Sequence, residues 1–306
     1  MARFGKGNMS DAKRNNLIFY CIMFAFPVLQ FLIFYVYVNI NSILLAFKDY
    51  DPLGNTYTIV WFDNFVQVVK DLASKAEFIY ALKNSLVSYL FSLLVGTTLT
   101  LFFSYYIYKQ KLFHSGFKII LFAPSIISSV VIVILFTYST EKLIPALAKL
   151  FTGKTMQGLL SNPKTTFGTL LFFQIWGGFG MGLLMYSGAM SSISESIIEA
   201  GKLDGVNFFQ EFFNIIIPLI WPTLVTFVMM GVAGIFSNQL NLYSIYGKEA
   251  EFRLYTVGYY LYKETATASM TKFPYLSAMG LVFTIIVAPL ALGVKKAMEK
   301  FGPSLD

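Results

Sequence analysis

Hydrophobic positions in this chain run in blocks rather than in alternation. Six windows free of Asp, Glu, Lys and Arg, at 15–47, 84–108, 119–140, 165–194, 212–247 and 273–294, are separated by segments that hold all of those charges. Even the shortest window has 22 residues, and about 20 apolar residues wound as a helix cross a ~30 Å hydrocarbon core. The pattern predicts an all-α, polytopic membrane protein with six transmembrane helices, near 17–38, 85–108, 119–138, 168–190, 217–237 and 274–294. An even number puts both termini on one side. The expected pieces are an N-tail at 1–14, a six-span domain at 15–294 and a C-tail at 295–306.

Composition narrows the classes further. Of 306 residues, 56% are hydrophobic and only 13% charged, so a soluble fold is excluded. The first window is too long for a 7–15-residue signal-peptide core and lacks a small-residue cleavage site, which predicts a retained helix. The lone Cys21 falls in that helix and the lone His114 in a loop, which leaves no disulfide framework and no Cys/His metal spacing. The formal charge of +7 follows from topology; no basic run stands beside a soluble fold that could present it to nucleic acid.

Orientation is read from the short segments that flank the spans, because totals of 11 and 12 Lys and Arg on the two sides decide nothing. Arg3, Lys6, Lys13 and Arg14 precede the first window, and loop 109–118 carries Lys109, Lys111 and Lys118 without an acid. Loop 48–83 on the other side is net acidic. The positive-inside rule therefore predicts cytoplasmic termini, in the cell membrane of a prokaryote, and a cytoplasmic loop at 191–216.

That loop is the most informative segment. Ser192-Ile193-Ser194-Glu195 reads as a capping box, placing a helix start near Ile193. Ile193, Ile197 and Ala200 recur at i, i+4 and i+7 as one apolar stripe, with Glu195, Glu199 and Lys202 off it. Asp204-Gly205 reads as a turn, and a second helix, about 206–215, carries Phe208, Phe209, Phe212 and Phe213 before Pro218 marks a start or break at the membrane. On these residues alone, the loop is equally a helix pair lying idle on the membrane surface. Gly178 and Gly182 form a small-xxx-small face in the fourth span, for close packing or for a pore wall.

The spacing from Glu199 to Pro218 resembles that of the membrane subunits of binding-protein-dependent ABC importers. Their pattern is E-A-A, three residues, G, nine residues, I-x-L-P; here it reads Glu199-Ala200-Gly201, Gly205, Ile215, Ile217 and Pro218. Gly201 and Ile217 replace an Ala and a Leu of the pattern. Asp204-Gly205 and Gln210 resemble the carbohydrate-importer branch of maltose-type and glycerol-phosphate-type permeases, as do Asn84-Ser85, Tyr262-Lys263 and Phe273-Pro274-Tyr275. A Gly-Gly-Pro element of many relatives is missing at 238–250. The resemblance implies a coupling helix with Glu199, Ala200, Gly201, Asp204, Gly205 and Pro218 as its motif residues, Glu199 pairing with a basic group of a separate ATPase. It also implies a second homologous permease in a heterodimer, two ATPase subunits that carry ATP and Mg, and an extracytoplasmic solute-binding protein. The chain itself is then no enzyme and binds no cofactor.

No Asp, Glu, Lys, Arg or His lies within the six windows, which argues against a proton-driven carrier or an intramembrane enzyme and for power from another chain. Sugar paths use aromatic faces with amides and hydroxyls, and the candidates here are Gln174, Trp176, Tyr186, Asn238, Gln239 and Tyr243. Two alternatives stay open: the same importer class with a non-sugar solute, and a stand-alone channel or scaffold.

Overall fold

The computed structural model describes residues 11–303, which form two compact units. The first comprises the chain up to Val68 with Ala268–Leu281, and the second Val69–Thr267 with the chain from Val282 onward.

In the first unit, helix α1 (Lys13–Leu45) is free of charged residues after Arg14, and its most hydrophobic window buries none of its residues. A helix that is apolar on every side belongs in lipid. It ends in a hairpin of β1 (Lys48–Asp51) and β2 (Thr56–Ile59), antiparallel with Lys48 opposite Ile59. Asn64 ties the hairpin's start down by donating to the carbonyls of Ala46 and Lys48. Helix α2 (Asp63–Ser74) follows.

The second unit is built around helix α6 (Thr166–Ser191), which packs against α3 (Ala76–Tyr108) and α4 (His114–Ile126). The contact is close because α6 is rich in glycine. A Cβ on Gly182 would lie 2.7 Å from Thr100 Cγ2, and one on Gly180 would collide with the Ser125 side chain. Without a hydrophobic drive between helices in lipid, such close approach is what holds them. Gly178, the other member of the expected small-residue face, meets nothing within 4 Å of its Cβ position; it lines a cavity instead.

The remaining elements of this unit are α5 (Ser129–Thr152), α7 (Glu195–Leu203), α8 (Phe208–Leu219), α9 (Trp221–Ala233), α10 (Leu242–Tyr246), α11 (Val257–Thr267) and α12 (Phe273–Phe301), whose first turns belong to the other unit. Among the described residues, five helices are long and apolar enough to cross a membrane, or six if the bent pair α8–α9 is one span.

Three element boundaries differ from those the windows predict. The window at 119–138 is cut at Ile127 and Ser128, whose ψ values of 140° and 136° are extended. Pro124 has no N–H for the preceding turn, which weakens α4 near its end, and Ser128 takes the N-cap position favoured by serine. The helix that resumes at Ser129 runs on past the predicted span end at 138 as far as Thr152, where Gly153 stops it in a left-handed conformation. The expected C-tail is helical from 295 to Phe301.

Between α9 and α11 the chain is fastened to α3. Asn84 Nδ2 donates to the carbonyls of Arg253 and Tyr255 at 2.8 and 2.9 Å, and the Val257 amide donates to Ser85 Oγ at 3.0 Å. Thr256 Oγ1 donates to the Asn238 carbonyl at 2.7 Å. Nearby, Lys263 donates to the Tyr255 hydroxyl at 2.8 Å. Burial works to lower the Lys263 pKa, but that hydrogen bond and Glu264 outweigh it and hold the pKa above the usual lysine value.

Candidate functional site

The loop motif folds as a short helix docked by one face. Helix α7 begins at Glu195, two residues later than expected, and Ser194 makes no capping bond; its hydroxyl pairs with that of Ser196. The capping box lies further along, where Asn207 accepts from the Phe209 and Gln210 amides and Gln210 Oε1 accepts from the Asn207 amide. Asn caps as well as Ser or Thr, and a Gln three residues on completes the reciprocal pair.

The buried face of α7 is Ile198 and Gly201. Ile197, Ala200 and Leu203 are exposed, as are Glu195, Glu199 and Lys202. The stripe read from the sequence is therefore the outward one, because docking on α8 sets the inward face. A Cβ on Gly201 would sit 2.7 Å from Ile215 Cδ1, so an alanine here would require the end of that flexible side chain to shift. Glu199 is exposed and, among the described residues, makes no hydrogen bond or ion pair.

The helix ends in a Schellman motif. The Val206 amide donates to the Gly201 carbonyl and the Gly205 amide to the Lys202 carbonyl, both at 3.1 Å, with Gly205 at φ 75°. Only glycine enters that region without cost, so Gly205 ends α7 and Asp204 occupies the preceding cap position, exposed. Pro218 lies inside α8, and the helix breaks two residues later at Ile220. Pro222 supplies the reason: it has no amide for the Pro218 carbonyl, and its ring crowds that carbonyl. The axes of α8 and α9 consequently differ by 72°.

A joint ties this insert to the spans. Leu101 and Tyr105 from α3, Tyr186 and Met190 from α6, Ile198 from α7, and Phe212 and Ile216 from α8 form one buried cluster. Phe212 stacks on Phe102 with ring centroids 4.7 Å apart, and the Tyr105 hydroxyl donates to the Phe208 carbonyl. Beside it, Lys109 Nζ contacts both carboxylate oxygens of Glu211 at 2.8 and 3.0 Å, with side-chain exposures of 18% and 8%. Nothing in the sequence pairs these two: each bounds a charge-free window, and 102 positions separate them.

Of the six path candidates, three line a cavity. Gln174 and Tyr186, with Gly178 between them on α6, face Tyr89, Ser92, Thr97 and Thr100 on α3 and Phe227 and Gly231 on α9 across a cavity of about 210 Å³. A second cavity of about 260 Å³ shares Tyr89, Ser92, Gln174 and Gly231 with the first and adds Ser88, Ser237 and Asn238. Gln174 Oε1 is buried and has no hydrogen-bond partner, an orphan acceptor that costs about 1–3 kcal/mol unless a donor reaches it. Where Ser92 and Thr97 line the cavity, α3 is wound as a π-helix over Ser92–Thr97, a form that recurs at functional sites.

The other three candidates lie elsewhere. Trp176 packs with Phe136 and Phe173 at centroid distances of 6.2 and 6.1 Å. Tyr243 meets Tyr262 edge to face at 4.7 Å, and Gln239 holds the turn into α10 by accepting the Leu242 amide on its carbonyl. What the candidate list missed is the α3 wall. Its signal was present: Ser85, Ser88, Ser92, Gly96, Thr100 and Ser104 recur every three or four residues as a small, polar stripe.

An apolar helical assembly with a cavity lined in part by polar side chains, and a docked, outward-facing helix between two of its long helices, is the architecture of a multi-pass membrane protein. The chain belongs to the family described as the binding-protein-dependent transport system inner membrane component, whose pattern matches residues 92–305; it is an ABC transporter permease. It is 24% identical over 271 residues, 87% of this chain and 83% of the relative, to the arabinooligosaccharides transport system permease protein AraP of Bacillus subtilis (strain 168). A bacterial ABC transporter involved in the import of the acidic polysaccharide alginate has a chain of the same fold, with a TM-score of 0.75 at 20% identity over 95% of this chain and 98% of that one. A second structure of an alginate ABC transporter, in complex with a periplasmic protein bound to alginate pentasaccharide, gives a TM-score of 0.71 at 20% identity over 94% of each chain.

Proposed function

We propose that this chain forms half of the translocation path for a carbohydrate, in particular an oligosaccharide, in an importer driven by ATP hydrolysis on other subunits. The six spans are α1, α3, α5, α6, the bent pair α8–α9, and α12, with both termini and α7 on the cytoplasmic side. The partners are a second homologous permease, two ATPase subunits binding ATP and Mg, and an extracytoplasmic binding protein. Relatives named for arabinooligosaccharides, and fold neighbours that import alginate, support the solute class.

The observation that carries the coupling role is Glu199: an unpaired carboxylate beside exposed Ile197, Ala200 and Leu203, on a helix whose opposite face is locked to the spans. An apolar patch with one uncompensated charge fits a cleft that supplies a basic group, and burial there strengthens the charge-assisted hydrogen bond. The orphan Gln174 Oε1 supports the path, since a sugar hydroxyl is the donor it lacks, and the Tyr89 and Ser92 hydroxyls stand beside it.

The test is uptake by cells or proteoliposomes that contain the full assembly. Glu199→Lys reaches the membrane but abolishes uptake and releases the ATPase subunits on purification; unimpaired uptake by that variant sinks the coupling role. Uptake driven by an oligosaccharide-loaded binding protein supports the solute class, and uptake of a peptide or glycerol phosphate in its place overturns it.

A further inference from the structure

Beyond the transport role, an aromatic groove outside the joint has the features of a lipid site. Phe102, Phe103 and Tyr106 of α3, Phe117 of α4, and Phe208 and Phe209 of α8 line a cavity of about 520 Å³ that is almost wholly apolar. Its mouth is formed by the α3–α4 turn, where Gln110 and Phe113 adopt φ values of 47° and 61°. That turn leaves Leu112 and Phe113 projecting, 76% and 80% exposed, while the Tyr106 hydroxyl donates to the Leu112 carbonyl and fixes the turn to α3.

Charge at the mouth has one sign. Lys111 Nζ stands 5.4 Å from the centre of the Phe208 ring, at the groove's edge, and exposed Lys118 adjoins Phe117. Between Glu77 and Glu141 the chain has no acidic residue. Glu211, the carboxylate on α8, is held by Lys109, and among the described residues neither Lys111 nor Lys118 has an ion pair. An apolar trough that opens at a span's end beneath two lysines matches a molecule with a hydrocarbon tail and an anionic head.

We propose that this groove binds an anionic phospholipid, its acyl chain lying along the aromatic wall and its phosphate between Lys111 and Lys118. The site flanks the α7–α8 insert, so an occupied groove braces Phe208 and Phe209 from the lipid side.

Native mass spectrometry of the purified full-length chain tests this, with phosphatidylglycerol and phosphatidylcholine of identical acyl chains added in turn. The expected result is preferential retention of phosphatidylglycerol, reduced about fivefold for each lysine removed in K111Q and K118Q, with phosphatidylcholine unchanged. Phe113→Ser, at an exposed position that leaves the packing intact, weakens both lipids. Equal retention of the two lipids overturns the proposal, as does full retention of phosphatidylglycerol by the double variant. Displacement of phosphatidylglycerol by millimolar inorganic phosphate overturns it in favour of a free-anion site. Loss of an associated protein from the K111Q/K118Q preparation with lipid retention unaltered overturns it in favour of a protein interface.

Discussion

At the scale of single residues, the insert depends on two positions with little freedom. Gly205 sits at φ 75°, where a β-branched side chain costs about 1–2 kcal/mol; Gly205→Val therefore unravels the end of α7, and protease nicking near 204–206 reports it. The Lys109–Glu211 pair is mostly buried, so removing one partner leaves a charge uncompensated at a cost of about 3 kcal/mol or more. Lys109→Met lowers the thermal midpoint of the purified chain sharply, and adding Glu211→Leu restores most of the loss. A midpoint unchanged in the single variant refutes this role for the pair. The turn at Asp204-Gly205 was legible in the sequence, because it acts through local backbone chemistry. The Lys109–Glu211 contact was not, since nothing local brings together two residues so far apart. Neither was the inward face of α7: the period alone fits Ile197 with Ala200 as well as Ile198 with Gly201, and Ile215 decides between them.

At the scale of elements, hydropathy located the apolar helices but not their ends. Helices α5 and α12 run several residues into charged segments because a lysine or glutamate continues a helix readily once the preceding turns are formed. The breaks at Ile127–Ser128 and at Ile220 follow prolines that the sequence displays, yet a proline in a membrane helix is also compatible with an unbroken span, and only the neighbours decide. Helix α3 shows the most consequential element-level signal, its stripe of small polar residues. One end of that stripe serves as a fastener: Asn84 satisfies two carbonyls of the segment before α11. Asn84→Ala leaves both without that donor, and a loss of about 2 kcal/mol is expected in denaturant or thermal unfolding; hydrogen exchange at 253–258 should rise in parallel.

At the scale of the whole molecule, the division of labour is clear from where polar groups were left unpaired. Among the described residues, Gln174 Oε1 in the cavity and the Glu199 carboxylate on α7 have no partner, as has the buried Ser104 Oγ on α3. Gln174→Leu removes the orphan acceptor at similar size, so the variant should unfold no earlier than the parent, while uptake falls at least tenfold. Uptake at the parental rate shows the cavity to be idle packing. The 72° bend between α8 and α9 has a mechanical corollary. Pro222 prevents the two arms from annealing into one rod, and the buried cluster around Phe212 keeps the near arm engaged with its neighbours. If α7 receives the thrust of an ATPase as proposed, this shape would act as a bell crank, turning a push along α8 into a sideways swing of α9, the helix whose Phe227 and Gly231 form one wall of the cavity.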